Sequence, residues 1–260
     1  HGGDVTQTIN VTVTGANDTA KITGQFAGAV TEDHAGGLAA NGRIMLSDVD
    51  AGQGQLTAQT LAGQHGTLTL LADGHWSYTG NNADAAVQAL GAGKTLTDTI
   101  NVATPEGGTQ AITITFTGVN DRAVIAGTST ASVTEDSGVT GTGKIEASGQ
   151  LTVSDVDTGE AVFAAQTNVA GSNHYGTFSI DTAGHWTYSA NNGNAAIQGL
   201  KQGATLTDTL TVSSADGASQ TITVNIVGTN DVPTLTAQSH GVTEDGAKLT
   251  GQMVATDLDT

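Results

Sequence analysis

Cysteine is absent, which excludes a disulfide framework, a thiolate metal site and a cysteine nucleophile. No run of 18 apolar residues occurs, so no segment reads as a membrane-spanning helix. Aromatic residues are only 3% of the 260 positions, too few for one large aromatic core. Basic residues are scarce as well: 7 Lys+Arg face 25 Asp+Glu, a formal charge of -18. That balance makes nucleic acid, phosphate and anionic lipid poor partners and cations good ones. What is abundant is small, with 36 glycines beside much alanine and threonine. Such side chains suit several thin β-structures, and the length allows two ordinary domains. His1 opens the chain without a signal-peptide pattern, so the sequence reads as a piece of something longer.

Internal repetition organises the chain. Thr31-Glu32-Asp33 recurs as Thr134-Glu135-Asp136 and Thr243-Glu244-Asp245, and Asp48-Val49-Asp50 as Asp155-Val156-Asp157 and Asp257-Leu258-Asp259. Gly74-His75-Trp76-Ser77-Tyr78 returns as Gly184-His185-Trp186-Thr187-Tyr188, and Leu96-Thr97-Asp98-Thr99 as Leu206-Thr207-Asp208-Thr209. Gly-x-Asn-Asp tetrapeptides end at Asp18, Asp121 and Asp231, spaced by 103 and 110 residues. Complete repeats are therefore expected over 19–121 and 122–231. Residues 1–18 read as the last strand of a preceding repeat, and 232–260 as the start of a third.

Within a repeat the hydrophobic period is two. Ile112, Ile114 and Phe116 alternate with threonines, and Ile222, Val224 and Ile226, like Ile9, Val11 and Val13, alternate with threonine and asparagine. That is the pattern of half-buried strands. Trp76 and Tyr78 fall on one strand face, as do Trp186 and Tyr188, and both pairs are expected in the core. Asn41-Gly42, Asn192-Gly193 and Asp216-Gly217 read as turns. Helical turns fit only at 83–90 and 194–200. The expected fold is all-β, a β-sandwich in each repeat.

The carboxylates carry the functional information. Nineteen of the 25 stand at repeat-equivalent positions. A merely solubilising surface has no reason to keep its charge in register. Gathered by a fold, such groups repel: a pair at roughly 6 Å costs about 0.7 kcal/mol in bulk water and about 3 kcal/mol at an effective dielectric near 20. A divalent cation removes that opposition. Hard oxygens from Asp, Glu, Asn and backbone carbonyls select Ca2+, which accepts 6–8 of them. Magnesium wants fewer protein ligands, and zinc lacks both thiols and a histidine pair at ligand spacing.

The run from Ala215-Asp216-Gly217 through Ile222, Val224 and Ile226 to Asn230-Asp231-Val232-Pro233 resembles the end of a cadherin repeat. The Gly-x-Asn-Asp linker, the Thr-Glu-Asp opening and the Gly-His-Trp-x-Tyr strand are more closely similar to the VCBS/bacterial cadherin-like repeats of Gram-negative RTX-type adhesins and biofilm proteins. The resemblance spans essentially the whole chain and implies cadherin-like or Ig-like sandwiches joined end to end. It implies one ligand set at the central junction: Glu32 from the first repeat, Asn120 and Asp121 from the linker, and Asp155, Asp157 and Asp216 from the second. The junction near Asn17 and Asp18 keeps Asp48, Asp50 and Glu106. The one near Asp231 keeps Glu135, Asn230, Asp257 and Asp259. The Leu-Asp-Arg-Glu motif of animal cadherins is missing, Glu106 stands where Asp216 stands in the next repeat, and no Trp near a repeat start supports strand-swap adhesion.

Asp-x-Asp on a strand would place both carboxylates on one face, about 7 Å apart. Asp33 and Asp136 read as turn caps after the glutamate. Asp98 and Asp208 read as hydrogen-bonding residues at a strand edge rather than ligands, and His75 and His185 as turn residues. An EF-hand fails because position twelve from Asp155 is Gln166, and the helices are missing. A glycosidase carboxylate pair is disfavoured by repetition in every domain, so no enzyme is expected. The implied function is a calcium-stiffened extender in a secreted or cell-surface bacterial adhesin, with neighbouring repeats as partners and glycans or other cell-surface molecules met only through distant domains. The alternatives are a glycan- or self-binding module and a metal-independent acidic spacer.

Overall fold

A computed structural model describes residues 2–105 and 107–259. The chain divides into two compact units, residues 1–119 and 120–260. In the first, β1 (Lys21–Gly24), β2 (Ala27–Thr31), β3 (Ala39–Ser47), β4 (Gln59–Ala62), β5 (Gly66–Leu70) and β6 (His75–Gly80) precede a single helical turn, α1 (Ala85–Gln88). Two long strands follow, β7 (Thr95–Ala103) and β8 (Thr109–Thr117). They form a five-stranded sheet, β1-β3-β6-β5-β4, and a three-stranded one, β2-β8-β7. The opening segment therefore serves both sheets, with β1 antiparallel to β3 and β2 parallel to β8.

The second unit repeats the plan. Its elements are β9 (Val124–Gly127), β10 (Thr130–Thr134), β11 (Lys144–Ser154), β12 (Gln166–Ala170), β13 (Gly176–Ile180), β14 (His185–Asn191), α2 (Ala195–Gln198), β15 (Thr205–Ser213) and β16 (Ser219–Val227). Its sheets run β12-β13-β14-β11-β9 and β10-β16-β15, again with the parallel pair β10 and β16. Beyond Asp231 a short ladder joins β17 (Thr234–Leu235) to β18 (Ala255–Thr256).

The period-two pattern buries one face of each sheet, as the alternation requires. Trp76, Tyr78, Ile112, Ile114 and Phe116 centre the first core, and Trp186, Tyr188, Ile222, Val224 and Ile226 the second. Each large side chain removed from water contributes about 1.5–3 kcal/mol. The indole N–H of Trp76 donates to the Gln25 carbonyl at 2.9 Å and that of Trp186 to Thr128 at 2.7 Å, so both polar edges are satisfied. The helical turns begin at Asp84 and Asn194, whose side chains accept from Ala86 N and Ala196 N.

Two sequence readings are corrected. Asn41-Gly42 is not a turn but lies inside β3, where Gly42 pairs with Trp76. A Cβ at Gly42 would come within 2.5 Å of the Trp76 ring, so the glycine serves packing. Residues 2–20 carry no regular secondary structure, and Ile9, Val11 and Val13 are 80–88% exposed. Their alternation expected a strand. β8 and β16 each lie between two partner strands, whereas this segment pairs with none, and a lone strand has neither ladder nor covered face.

Candidate metal centre

One local arrangement occurs three times. Asn17, Asn120 and Asn230 each donate from Nδ2 to the carbonyl of the next residue, at 3.0, 2.8 and 2.8 Å. That next residue, Asp18, Asp121 or Asp231, donates its backbone N–H to Oδ2 of Asp50, Asp157 or Asp259 at 2.8, 2.8 and 3.1 Å. The N–H groups of Asp50, Asp157 and Asp259 in turn reach Oδ1 of Asp48, Asp155 and Asp257 at 2.8, 2.9 and 3.0 Å. Each Asn-Asp pair is thus hooked to an Asp-x-Asp pair distant in sequence. The Asp-x-Asp residues stand just past the ends of β3 and β11, not on a strand face. The first carboxylate captures the N–H two residues on, a local bond that competes with continuing the ladder.

The glutamates hold the opposite end of each unit. Glu32 is 1% exposed, and its Oε1 accepts from Val119 N at 2.6 Å. Glu135, fully buried, accepts in the same way from Thr229 N at 2.9 Å. Asp216 accepts from Ala123 N at 2.9 Å, from Ala218 N at 3.2 Å and from the Ser214 hydroxyl. The Ser214 bond is the main reason its carboxyl is held below the ordinary range. Glu106, the corresponding position in the first unit, lies outside the described residues.

Around Asp231 the second unit brings several carboxylates into mutual range. Burial raises the Glu135 carboxyl, with Asp136, Asp231 and Asp259 adding to the effect and the Thr229 N–H opposing it. Asp231 is raised by burial and then by Asp136, Asp259 and Asp257, and its side chain is within hydrogen-bonding range of Asp136. Asp136 was expected only to cap a turn; its place in this cluster is the site residue sequence reasoning missed, although its register with Asp33 and Asp245 was the available signal. Of the central set, the second unit links Asp121, Asp155 and Asp157 directly and anchors Asp216 two residues further along the chain, while Glu32 belongs to the first unit.

Among the described residues, no three Asp, Glu or His side chains are drawn tightly enough together to form a ready-made metal group. The fit is decided by individual oxygens. Asp48 Oδ2, Asp155 Oδ2, Asp157 Oδ1, Glu135 Oε2, Asp231 Oδ2 and Asp259 Oδ1 are shielded from solvent and accept no hydrogen bond. A buried acceptor left in that state costs about 1–3 kcal/mol, more when charged. All six are hard carboxylate oxygens at expected ligand positions, the donor type that suits calcium.

The bacterial cadherin-like domain profile matches residues 17–118 and again 120–228. The chain belongs to that family. The two bacterial cadherin-like domains account for both sandwiches, a structural, adhesion-type class of repeat. No curated protein matches the chain. Among solved structures it is similar to the protocadherin gamma B4 extracellular domain, with 15% identity, TM-score 0.44, and coverage of 93% of this chain and 40% of that one. Mouse cadherin-23 EC22-24 gives 14% identity and TM-score 0.44, over 83% of this chain and 68% of that one. The human desmocollin-1 ectodomain gives 14% and 0.40, over 82% and 43%. The bacterial cadherin-like chain thus spans between 40% and 61% of the three protocadherin structures it first matches. Among the described residues no helix is long and apolar enough to cross a membrane.

Proposed function

We propose that this chain is a calcium-rigidified extender segment of a secreted or cell-surface bacterial adhesin, serving cell adhesion and biofilm formation. The observation that supports this reading most is the set of buried, unpartnered carboxylate oxygens recurring in register with the repeats. Glu32, Asn120, Asp121, Asp155, Asp157 and Asp216 would hold calcium where the first repeat gives way to the second. Glu135, Asn230, Asp231, Asp257 and Asp259 would do so where the third begins, and Asn17, Asp18, Asp48, Asp50 and Glu106 at the first linker. Bound calcium supplies positive charge that cancels the repulsion among these groups. The residues do the rest: the linker amides hold the Asp-x-Asp carboxylates in place, and the glutamates fix the residue leading into each linker. A linker so tied at both sides resists bending, and the chain acts as a spacer that carries load.

Affinities in the range of extracellular modules, about 10⁻⁴–10⁻³ M, are expected. Small-angle scattering of the full chain in calcium and in chelator tests the reading. A longer, sharper maximum dimension with calcium is the expected result. An identical profile in both conditions, with an unchanged melting temperature, would overturn it and point to a metal-independent acidic spacer.

A further inference from the structure

The residue after each glutamate is built into a clamp that recurs in both units. Asp33 and Asp136 adopt left-handed backbone conformations, with φ of 54° and 55°. Aspartate reaches this region more readily than most non-glycine residues, and Asp245 shares it with φ of 56°. In the first unit Asp33 N donates to Asn82 Oδ1 at 3.0 Å, and Asn82 Nδ2 returns a bond to Asp33 Oδ1 at 2.8 Å. Gln88 Nε2, from the last residue of α1, reaches the same oxygen at 3.1 Å. In the second unit Asp136 N donates to Asn192 Oδ1 at 3.0 Å, Asn192 Nδ2 returns 2.6 Å, and Gln198 Nε2 adds 3.1 Å. The partners lie 49–62 residues away in sequence, so neither clamp is a local turn motif.

What the clamp holds is the glutamate. On one side Glu32 N donates to Thr117 O, which fixes it to β8, and Glu135 N donates to Val227 O, which fixes it to β16. On the other side the next residue is fixed to the turn before the helix and to the helix itself. We infer that Asn82 with Gln88, and Asn192 with Gln198, are positioning residues for cation binding: acting through Asp33 and Asp136, they preset the glutamate carboxylate at the unit's end. Asn and Gln suit the task because their N–H groups satisfy the aspartate carboxylate without adding charge. A lysine there would compete with the cation and a carboxylate would repel the aspartate. The orientation is set before any ion arrives, so the ordering entropy is not charged against binding.

This inference rests on the calcium reading above, and the test separates the two. In the full chain, calcium alone is titrated while the backbone amide resonances of Thr229 and Asp231 are followed; both amides donate to carboxylates of the Glu135 set. Asn192→Leu is expected to raise the calcium midpoint at those amides roughly ten-fold, the scale of outer-shell substitutions. Asn82→Leu, in the other unit, leaves that midpoint where it was. In chelator, Asn192→Leu keeps the melting temperature within about 2 °C of the parent, less than 1 kcal/mol would shift a unit of this size. An unmoved midpoint in a chain whose parent responds to calcium overturns the clamp. So does a midpoint that rises only in step with a loss of melting temperature in chelator. Parent amides that ignore calcium would remove the functional reading itself, and the clamp with it.

Discussion

The hydroxyl of Tyr78 donates a 2.7 Å hydrogen bond to Oδ2 of Asp98, tying the five-stranded sheet to the three-stranded one through the core of the first unit. Gln64 N and His65 N, in the turn between β4 and β5, reach the same carboxylate at 3.0 Å each. Asp208 repeats the arrangement with Tyr188, Asn173 N and Gly176 N. Asp98 is 1% exposed and stands on an edge strand, yet it faces inward. Room for it comes from Gly63, where a Cβ would lie 2.1 Å from Oδ2.

Replacing Asp98 by Ala leaves two backbone donors and a buried hydroxyl without an acceptor. A loss of roughly 3 kcal/mol or more from the first unit is expected. Calorimetry of the chain in chelator checks it. The first unit's transition moves down while the second, anchored by its own Asp208, stays in place. A parent-like first transition would show that the turn amides find water instead.

The same carboxylate makes the first unit acid-sensitive. Burial pushes the Asp98 carboxyl up, but the His65 N–H, the Tyr78 hydroxyl and the Gln64 N–H together outweigh it and hold it below the ordinary range. A depressed folded-state value means the unfolded chain takes up the proton first as pH falls. The stability contributed by ionised Asp98 is complete above the ordinary carboxylate range and is lost as pH drops through the folded value. The difference in melting temperature between the parent and Asp98→Ala should therefore shrink on acidification. A gap independent of pH would mean that the neutral acid serves equally well.

Gly42→Ala should unseat Trp76. The added Cβ would meet Cζ2 and Cε2 of the indole at 2.5 and 2.6 Å, and that ring is buried in the core of the first unit. Overpacking of this kind costs about 1–3 kcal/mol. Red-shifted tryptophan emission with a lowered first transition is the expected signature. Gly149→Ala should do the same to Trp186, and unshifted emission in either variant would contradict the packing argument.

These cases show what the sequence makes legible. Trp76 and Tyr78 could be placed in the core because period-two alternation is a local property that the strand expresses directly. Gly42 was misread because its reason is tertiary: the ring that excludes a side chain sits on another strand. Asp98 was expected to hydrogen-bond at a strand edge; it does hydrogen-bond, but from within β7, and no local pattern says that it points inward to a distant turn. Ile9, Val11 and Val13 carry the strand pattern without forming one, since alternation states a preference and a ladder needs partners. At the candidate site, register marked out the aspartates as candidates. It could not reveal that the Asp-x-Asp pairs end strands instead of lying on them, nor that Asp136 stands beside Asp231.

Glu135→Gln should have effects of opposite sign with and without calcium. Without the cation, Glu135 is a fully buried carboxylate facing Asp136, Asp231 and Asp259, with Oε2 accepting nothing. Among the described residues its side-chain hydrogen bond is Oε1 accepting from Thr229 N at 2.9 Å, a bond that a glutamine carbonyl can also accept, though more weakly. The substitution then removes a repelled negative charge and keeps the hydrogen bond, so the chelated variant should melt at or above the parent's temperature. With calcium the order reverses, because the variant has given up an anionic donor and the parent gains the full stabilisation of ligand binding to the native state. Melting curves at matched calcium concentrations, with and without chelator, decide the matter. A variant less stable than the parent in chelator would show that the carboxylate stabilises the fold by itself. Equal stabilisation of both by calcium would take Glu135 out of the ligand set.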